Sequence, residues 1–446
     1  MDGAALVVAS VVGAGIFTVP SYVADLAGRS ALVVALWLVG GLLALAGALC
    51  YAELATRFPR GGAEYVYLRE AFGETTGFLS GWTSFVAGFS GAIAAAAVGF
   101  AAHLTGAFPA LARTATWTLA VGPVTLTLSA TTAVALALIA AFTVVSITGV
   151  SAGRLATNGL ALLIVIGLAT LVFAGAGATG SAAPSVSATT TGALSALVPI
   201  FFTYSGWNAA AYVAGEFRDP AKSLPRALIG GTLIVTLLYV ALNAVLIRVL
   251  SPAGLAVSTT PVASAARVLL GDAGGSLATV LVLAALASSV CALVITGPRI
   301  YTEMARDGVL PSMFARSGQR HEAPASAAIA QSLWSGLLVL TGTFQQIVTY
   351  TGFSVLLFSG AAVSAVIVLR RRHGSPSTYK VPAYPLVPLA FVVSVVLIAI
   401  ASFRYAPGPS LAGVALFACG LPVGILTRQR VLRAAMLPDV EVNGVG

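Results

Sequence analysis

The sequence predicts an all-α integral membrane protein with 12 transmembrane helices, arranged as a five-plus-five inverted repeat in which helices 1 and 6 are discontinuous. Three observations carry this expectation. The 446-residue chain is 58% hydrophobic and only 8% charged, which is more apolar surface than a soluble domain can hide. Windows long enough to cross roughly 30 Å of hydrocarbon recur from end to end. The first window is interrupted between Val11 and Pro20 by Gly13, Gly15 and the proline itself, and a similar interruption recurs in the sixth.

The spans are expected near 4–27, 31–56, 75–105, 122–147, 154–175, 194–215, 226–250, 275–303, 323–342, 345–370, 384–404 and 410–427. The first does not read as a cleaved signal peptide, because no basic leader precedes it and the apolar pattern continues well past it. Glycines loosen a helix and proline removes a backbone donor. Inside lipid such a break is tolerable only where protein or a water-filled cavity covers the freed groups. Spans one to five (1–175) and six to ten (194–370) are the two expected repeats, separated by an Ala-, Ser-, Thr- and Gly-rich stretch at 176–193. An odd number of spans per repeat makes the second copy enter from the opposite side. Spans eleven and twelve (384–427) and a cytoplasmic tail (428–446) follow.

The net charge of +9 reads as a topology signal rather than as a nucleic-acid surface. With the amino terminus in the cytoplasm, only Arg29, Arg113, Arg248, Arg267 and Arg404 of the 23 basic residues fall outside. That asymmetry predicts a plasma-membrane protein with both termini cytoplasmic. The basic run at Arg370–His373 marks an inner loop next to lipid headgroups. Residues 58–73 suit a short amphipathic helix at the inner interface, and Arg299 begins a charged segment closed by Gly308 and Pro311.

The candidate site lies at the two interruptions. A helix broken at Ser205–Gly206 exposes carbonyls at the end of one half and amides at the start of the next; the Gly13–Gly15 break does the same. A free carboxylate matches the amides near Ala14 and Gly15, and an ammonium group matches the carbonyls near Val11, Val12, Phe202 and Thr203. The implied ligand is a zwitterion, an α-amino acid. The plainer alternative is that the glycines only let helices pack closely. Asn208, an amide in lipid, should face a partner or a cavity, and Phe202 is a candidate lid. No charge is evident deep in this pocket: Glu53 and Glu216 sit near inner helix ends and Asp25 toward the outer end of span one. A buried ionic side chain would go unpaired there, which favours neutral amino acids.

No cofactor is expected. The cysteines Cys50, Cys291 and Cys419 are far apart in apolar spans, the three histidines have no ligand spacing, and no phosphate-binding loop occurs. Ser288 and Ser289 are a candidate sodium (Na+) site, supplying hydroxyls beside freed carbonyls; the alternative is ordinary helix packing. Exchange of one amino acid for another needs no ion.

These stretches resemble the amino acid–polyamine–organocation (APC) superfamily, especially L-type amino acid transporters and related bacterial permeases. The resemblance rests on Val12-Gly-Ala-Gly-Ile-Phe with Pro20, Phe58-Pro-Arg-Gly-Gly-Ala-Glu-Tyr, Tyr204-Ser-Gly-Trp-Asn, Glu216-Phe-Arg-Asp-Pro with Leu224-Pro-Arg-Ala, Arg299 through Pro311, and Tyr379-Lys-Val-Pro-Ala-Tyr-Pro. It covers nearly the whole chain. It implies twelve spans in the repeat also seen in sodium-coupled leucine transporters (the LeuT fold). It implies substrate contact at Val11, Val12, Ala14, Gly15, Ile16, Phe202, Thr203, Tyr204, Gly206 and Asn208, with Phe202 as the aromatic gate. Many relatives carry a span-five lysine beside the first break, and here that position falls near Ile164. The amino-terminal tail that helps close the inner gate in relatives is almost absent from this sequence, so the start is truncated or other loops close the gate.

The reading is therefore a secondary transporter that moves neutral L-amino acids by alternating access, by exchange or ion coupling, and not an enzyme. Its expected partners are the substrate and membrane lipid, with no nucleic acid; the sequence does not specify an accessory subunit. The rival readings are a cationic amino acid or polyamine carrier, which requires an acidic residue in the pocket, and a transporter-derived amino acid sensor.

Overall fold

The structure is a computed structural model that describes residues 3–60, 62–113, 116–121, 124–148, 153–178, 190–315, 325–375 and 378–425. The expected tail at 428–446 and most of the 176–193 stretch lie outside the described residues. Helix α1 (Gly3–Val11) is followed by α2 (Ala14–Ala27), α3 (Ser30–Arg57), α4 (Glu64–Phe72) and α5 (Glu74–Thr83). A π-helical turn over Ser84–Phe89 joins α5 to α6 (Ser90–Ala107). A hairpin of β1 (Trp117–Val121) and β2 (Val124–Leu128) pairs antiparallel, with Trp117 opposite Leu128. Then come α7 (Ala130–Ile147), α8 (Gly153–Gly175), α9 (Thr190–Ser195), α10 (Leu197–Tyr204), α11 (Ala209–Tyr212) and α12 (Pro220–Pro225). The chain continues through α13 (Gly231–Val257), α14 (Pro261–Thr296), α15 (Pro298–Arg306), α16 (Ala325–Thr341), α17 (Phe344–His373), α18 (Leu386–Tyr405) and α19 (Pro407–Ala418).

The span count corrects the expectation of 12. Among the described residues, eight helices are long and apolar enough to cross a membrane, or nine if α1 and α2, bent by 48° at their junction, form one span. Among the described residues the expected spans six and nine reach only as the shorter apolar helices Gly192–Tyr204 and Ala325–Thr341, and the expected span five corresponds to α8 (Gly153–Gly175). A helix rises about 1.5 Å per residue, so 17 residues cover roughly 25 Å. The fourth expected span also starts later than 122, because residues 124–128 are strand.

The paired-break pattern of helices 1 and 6 is corrected with it. Among the described residues, α1–α2 is the one helix pair that forms a bent membrane-length span. Beyond α10 the chain makes a four-residue helix and a 3-10 turn at Ala214–Glu216, not a second membrane-length half. The two interruptions are thus not equivalent, and the five-plus-five LeuT-like repeat is not carried further.

One apolar core runs through the helices, with Trp37, Tyr204 and Tyr239 fully buried within it. Helix α13 packs on α3 and α2, α14 on α6, and α17 on α10 and α4. One end of the bundle is tied by charge. Glu53 of α3, 2% exposed, accepts from Arg370 of α17 at Nε (2.7 Å) and at Nη2, and its Oε2 also accepts from the Val381 amide at 2.8 Å. The Arg370 guanidinium lies 4.0 Å over the Tyr384 ring. Removing one partner of a buried pair leaves the other charge uncompensated, at a cost of about 3–5 kcal/mol. Arg370→Met is therefore expected to destabilise the protein by about that amount, read as a fall in unfolding temperature in detergent, whereas Arg60→Met at the exposed Arg60–Glu70 pair should leave it nearly unchanged.

Candidate functional site

The first interruption begins where α1 ends. The Val12 amide still donates to Val8 O (2.9 Å), and the Gly13 amide turns back to Val11 O at 2.8 Å. The Val11 carbonyl also accepts from the Tyr239 hydroxyl at 2.8 Å. Gly13 is extended (φ −132°, ψ −152°) and caps α2 without a side chain, so the first-turn amides of α2 have no side-chain cap.

The second interruption begins at Ser205, whose ψ of 142° ends α10. Gly206 follows at φ +103°, in the region glycine occupies without penalty. A Cβ there would sit 2.6 Å from the Ser10 carbonyl oxygen. The second interruption therefore lies against the last turn of α1, directly before the first interruption. The Ser205 amide donates to Phe202 O at 2.9 Å and the Ala209 amide to Gly206 O at 2.9 Å.

A cavity of about 240 Å³ lies beside this contact. Of the residues expected at the site, Val12, Phe202, Gly206 and Asn208 line it, as do Ser288, Ser289 and Ile164. The others stand behind the wall. Gly15 packs on Thr203, where an added Cβ would lie 2.7 Å from the Thr203 Cα. Thr203 donates to Pro199 O at 2.8 Å. Tyr204 donates to Trp37 O at 3.2 Å and packs on Tyr239, with centroids 5.2 Å apart. Val11, Ala14 and Ile16 are buried in the core. The Val11 and Phe202 carbonyls, expected to be open to an ammonium group, both already accept hydrogen bonds within the protein.

Sequence reasoning missed one charged residue. Glu64, the first residue of α4, is 7% exposed and lines the cavity. Its Oε1 accepts from the Tyr51 hydroxyl at 2.9 Å and from Asn208 Nδ2, which also reaches the Tyr212 hydroxyl at 3.3 Å. Its Oε2 is buried without a hydrogen-bond partner. Burial pushes its pKa above the ordinary carboxylate value, against the hydroxyls of Tyr212 and Tyr51 and the Asn208 amide, which favour the charged form. The Thr83 and Thr351 hydroxyls, also in the cavity wall, are likewise buried without partners. Ser80, Ser84, Thr296 and Ser359 add further hydroxyl-bearing side chains. The sequence signal was the acid between Gly62 and Tyr65, read there as part of a surface helix.

The family model described as "Amino acid permease" matches residues 2–426. The chain is similar to the serine/threonine exchanger SteT of Bacillus subtilis, 29% identical over 399 residues that cover 86% of each protein. It is similar to the large neutral amino acids transporter small subunit 2 of Homo sapiens, 27% identical over 445 residues, 94% of this chain and 78% of that one. An uncharacterized transporter of Mycobacterium tuberculosis is 29% identical over 439 residues, 96% of this chain and 92% of that one.

Two outcomes follow from the geometry. Gly206→Ala places a methyl against backbone that cannot swing aside, so it should cost about 1–3 kcal/mol and weaken substrate binding, measured by thermal unfolding with and without substrate. Because the folded protein holds the Glu64 proton more tightly than the unfolded chain, its stabilising effect is full below the ordinary glutamate pKa and is lost as pH rises through the raised value. Unfolding temperatures across that pH window should fall more in the native protein than in Glu64→Gln.

Proposed function

As a member of the amino acid permease family this chain is a multi-pass membrane transporter of amino acids, not an enzyme, and we propose that its cavity binds a small neutral amino acid with a hydroxyl-bearing side chain. The observation that carries this reading is the wall itself. Residues from both interruptions border a cavity of about 240 Å³, below the roughly 300–1,000 Å³ typical of drug-sized ligands. Two threonine hydroxyls and one carboxyl oxygen in that wall are buried and unpaired. Buried polar atoms without partners are costly, and a small polar solute relieves them. The serine and threonine named for the Bacillus relative have that chemistry.

In this proposal Val12, Phe202, Gly206 and Asn208 touch the substrate and Phe202 restricts its route. Val11, Ala14, Gly15, Ile16, Thr203 and Tyr204 hold those residues from behind. Alternating access by exchange accounts for the reaction without bond chemistry. The basic run Arg370–His373 at the end of α17 supports a cytoplasmic face at that end of the bundle, in a plasma-membrane protein with cytoplasmic termini.

A cationic amino acid is the second reading, and Glu64 is the observation that favours it. Two points weigh against it. The carboxylate is met by neutral donors from Tyr51 and Asn208, and burial favours its uncharged form. A neutral carboxyl supplies no counter-charge for a lysine or arginine side chain.

The test is uptake of labelled serine into sealed proteoliposomes holding the purified chain. Unlabelled internal serine should accelerate uptake several-fold, excess external threonine should block it, and arginine should not compete. Block by arginine with no effect of threonine would replace this reading with the cationic one. Replacing sodium with choline is the ion arm: loss of uptake, together with loss of the sodium response in Ser288→Ala and Ser289→Ala, would assign the two serines to a sodium site.

A further inference from the structure

Glu64 does more than line the wall. It joins three parts of the protein: its own helix α4, Tyr51 of α3, and Asn208, which stands between Gly206 and α11. Oε1 accepts from Tyr51 and Asn208, the Tyr212 hydroxyl stands beside the carboxyl, and Oε2 is buried without a hydrogen-bond partner. Ionised, the group leaves a buried charge with one oxygen unsolvated, and protonated, it gains a donor at the bare oxygen and loosens its hold on Asn208. The ionisable groups facing it are the phenols of Tyr51, Tyr67 and Tyr212. On the helices packed with it, Arg370 of α17 is paired with Glu53 and Arg69 of α4 with Asp307. Glu74, on the adjoining α5, is separated from it by the length of α4. Among the described residues no salt bridge to a basic side chain fixes Glu64 in its charged form, and its protonation is free to follow the state of the cavity.

We propose that Glu64 is the proton-binding site of the transport cycle, taking up one proton at Oε2 with each substrate and releasing it when the Asn208 segment moves. The step forms one O–H bond on entry and breaks it on exit, with no other chemistry. It deepens the transport reading above and rests on it. Substrate in the cavity that Glu64 lines replaces water with less polar groups around the carboxyl, so binding favours the protonated form. Neutral Glu64 then accepts more weakly from Asn208, the residue that begins the segment beyond the second interruption.

The experiment uses the full chain in proteoliposomes with a pH-sensitive dye inside, serine as the probe, and an outer pH one unit below the inner. With the membrane potential held at zero by equal potassium on both sides and valinomycin, one proton per substrate at that gradient drives about tenfold accumulation. That endpoint is independent of turnover rate. Native protein should accumulate serine about tenfold and acidify the lumen as it does so. Glu64→Gln should bring the ratio to about one, and Glu64→Asp, which keeps a titrating group, should recover it. Unchanged tenfold accumulation in Glu64→Gln would overturn the assignment. So would serine counterflow by native protein at equal pH with no lumen acidification under the gradient; absence of counterflow itself would instead remove the transport reading beneath it. If the variants do not fold, native protein decides by carbodiimide labelling read by mass spectrometry. Modification of Glu64 that rises as pH falls and is blocked by serine supports the proposal, and an unmodified Glu64 in protein that exchanges serine sinks it.

Discussion

Where a chain leaves helical geometry among apolar helices, each freed amide and carbonyl has to find its partner inside the protein. Gly206 lies against the Ser10 carbonyl in the last turn of α1, so the second interruption abuts the helix end from which the first begins. The Tyr239 hydroxyl and the Gly13 amide close on Val11 O, and Ser205 closes on Phe202 O. Tyr239 is held in turn by Trp37 and Tyr204, with ring centroids 5.9 and 5.2 Å away. The aromatic cluster thus fixes the hydroxyl that satisfies the break. A segment whose polar groups are met this way stays irregular at modest cost, and irregular backbone beside a cavity is what a small polar ligand needs.

The charged residues divide into anchors and one exception. Arg370 and Glu53 are near-buried, paired, and braced by the Val381 amide and the Tyr384 ring. Arg372 donates to Ala71 O at 2.8 Å and Arg57 to Gly374 O at 3.3 Å, tying the end of α17 to α3 and α4. Arg69 meets Asp307, which also accepts from the Tyr65 hydroxyl at 2.7 Å. Here burial and hydrogen bonding to the neighbouring acid hold the Tyr65 phenol well above its ordinary pKa, so it stays a donor. Each of these pairs links segments distant in sequence, and each is complete. Among the charged residues described, Glu64 is the one that combines deep burial, a place on the cavity wall and an oxygen without a partner.

Residue chemistry made much of the site legible. Glycine pairs and a proline inside an apolar span locate Val12, and a Gly-Trp-Asn run in another locates Gly206 and Asn208, because those residue types are costly in lipid without a purpose. The span count was less legible. Hydropathy registers apolar length but not where Ser205 turns the backbone away or where residues 124–128 pair as a strand. The role of Gly15 was ambiguous for a related reason: sequence cannot separate a glycine that opens a site from one that lets Thr203 approach. Glu64 was invisible as a cavity residue because α4 reads as amphipathic. Its burial depends on Tyr51 and Asn208, 13 and 144 residues away.

The electrostatics of the cavity decide what it can hold. A zwitterion brings equal and opposite charges, so a wall with no fixed net charge loses little by enclosing it, whereas a cationic side chain needs a permanent anion beside it. Glu64 would be that anion only if something kept it ionised. Its partners are two phenols and an amide, which stabilise a carboxylate through hydrogen bonds but bring no positive charge. Against them stands burial, which works in the opposite sense. Ile164 borders the same cavity and brings no charge to it. The acid is then free to change its protonation with the contents of the cavity, and the wall keeps the neutrality a small dipolar solute requires.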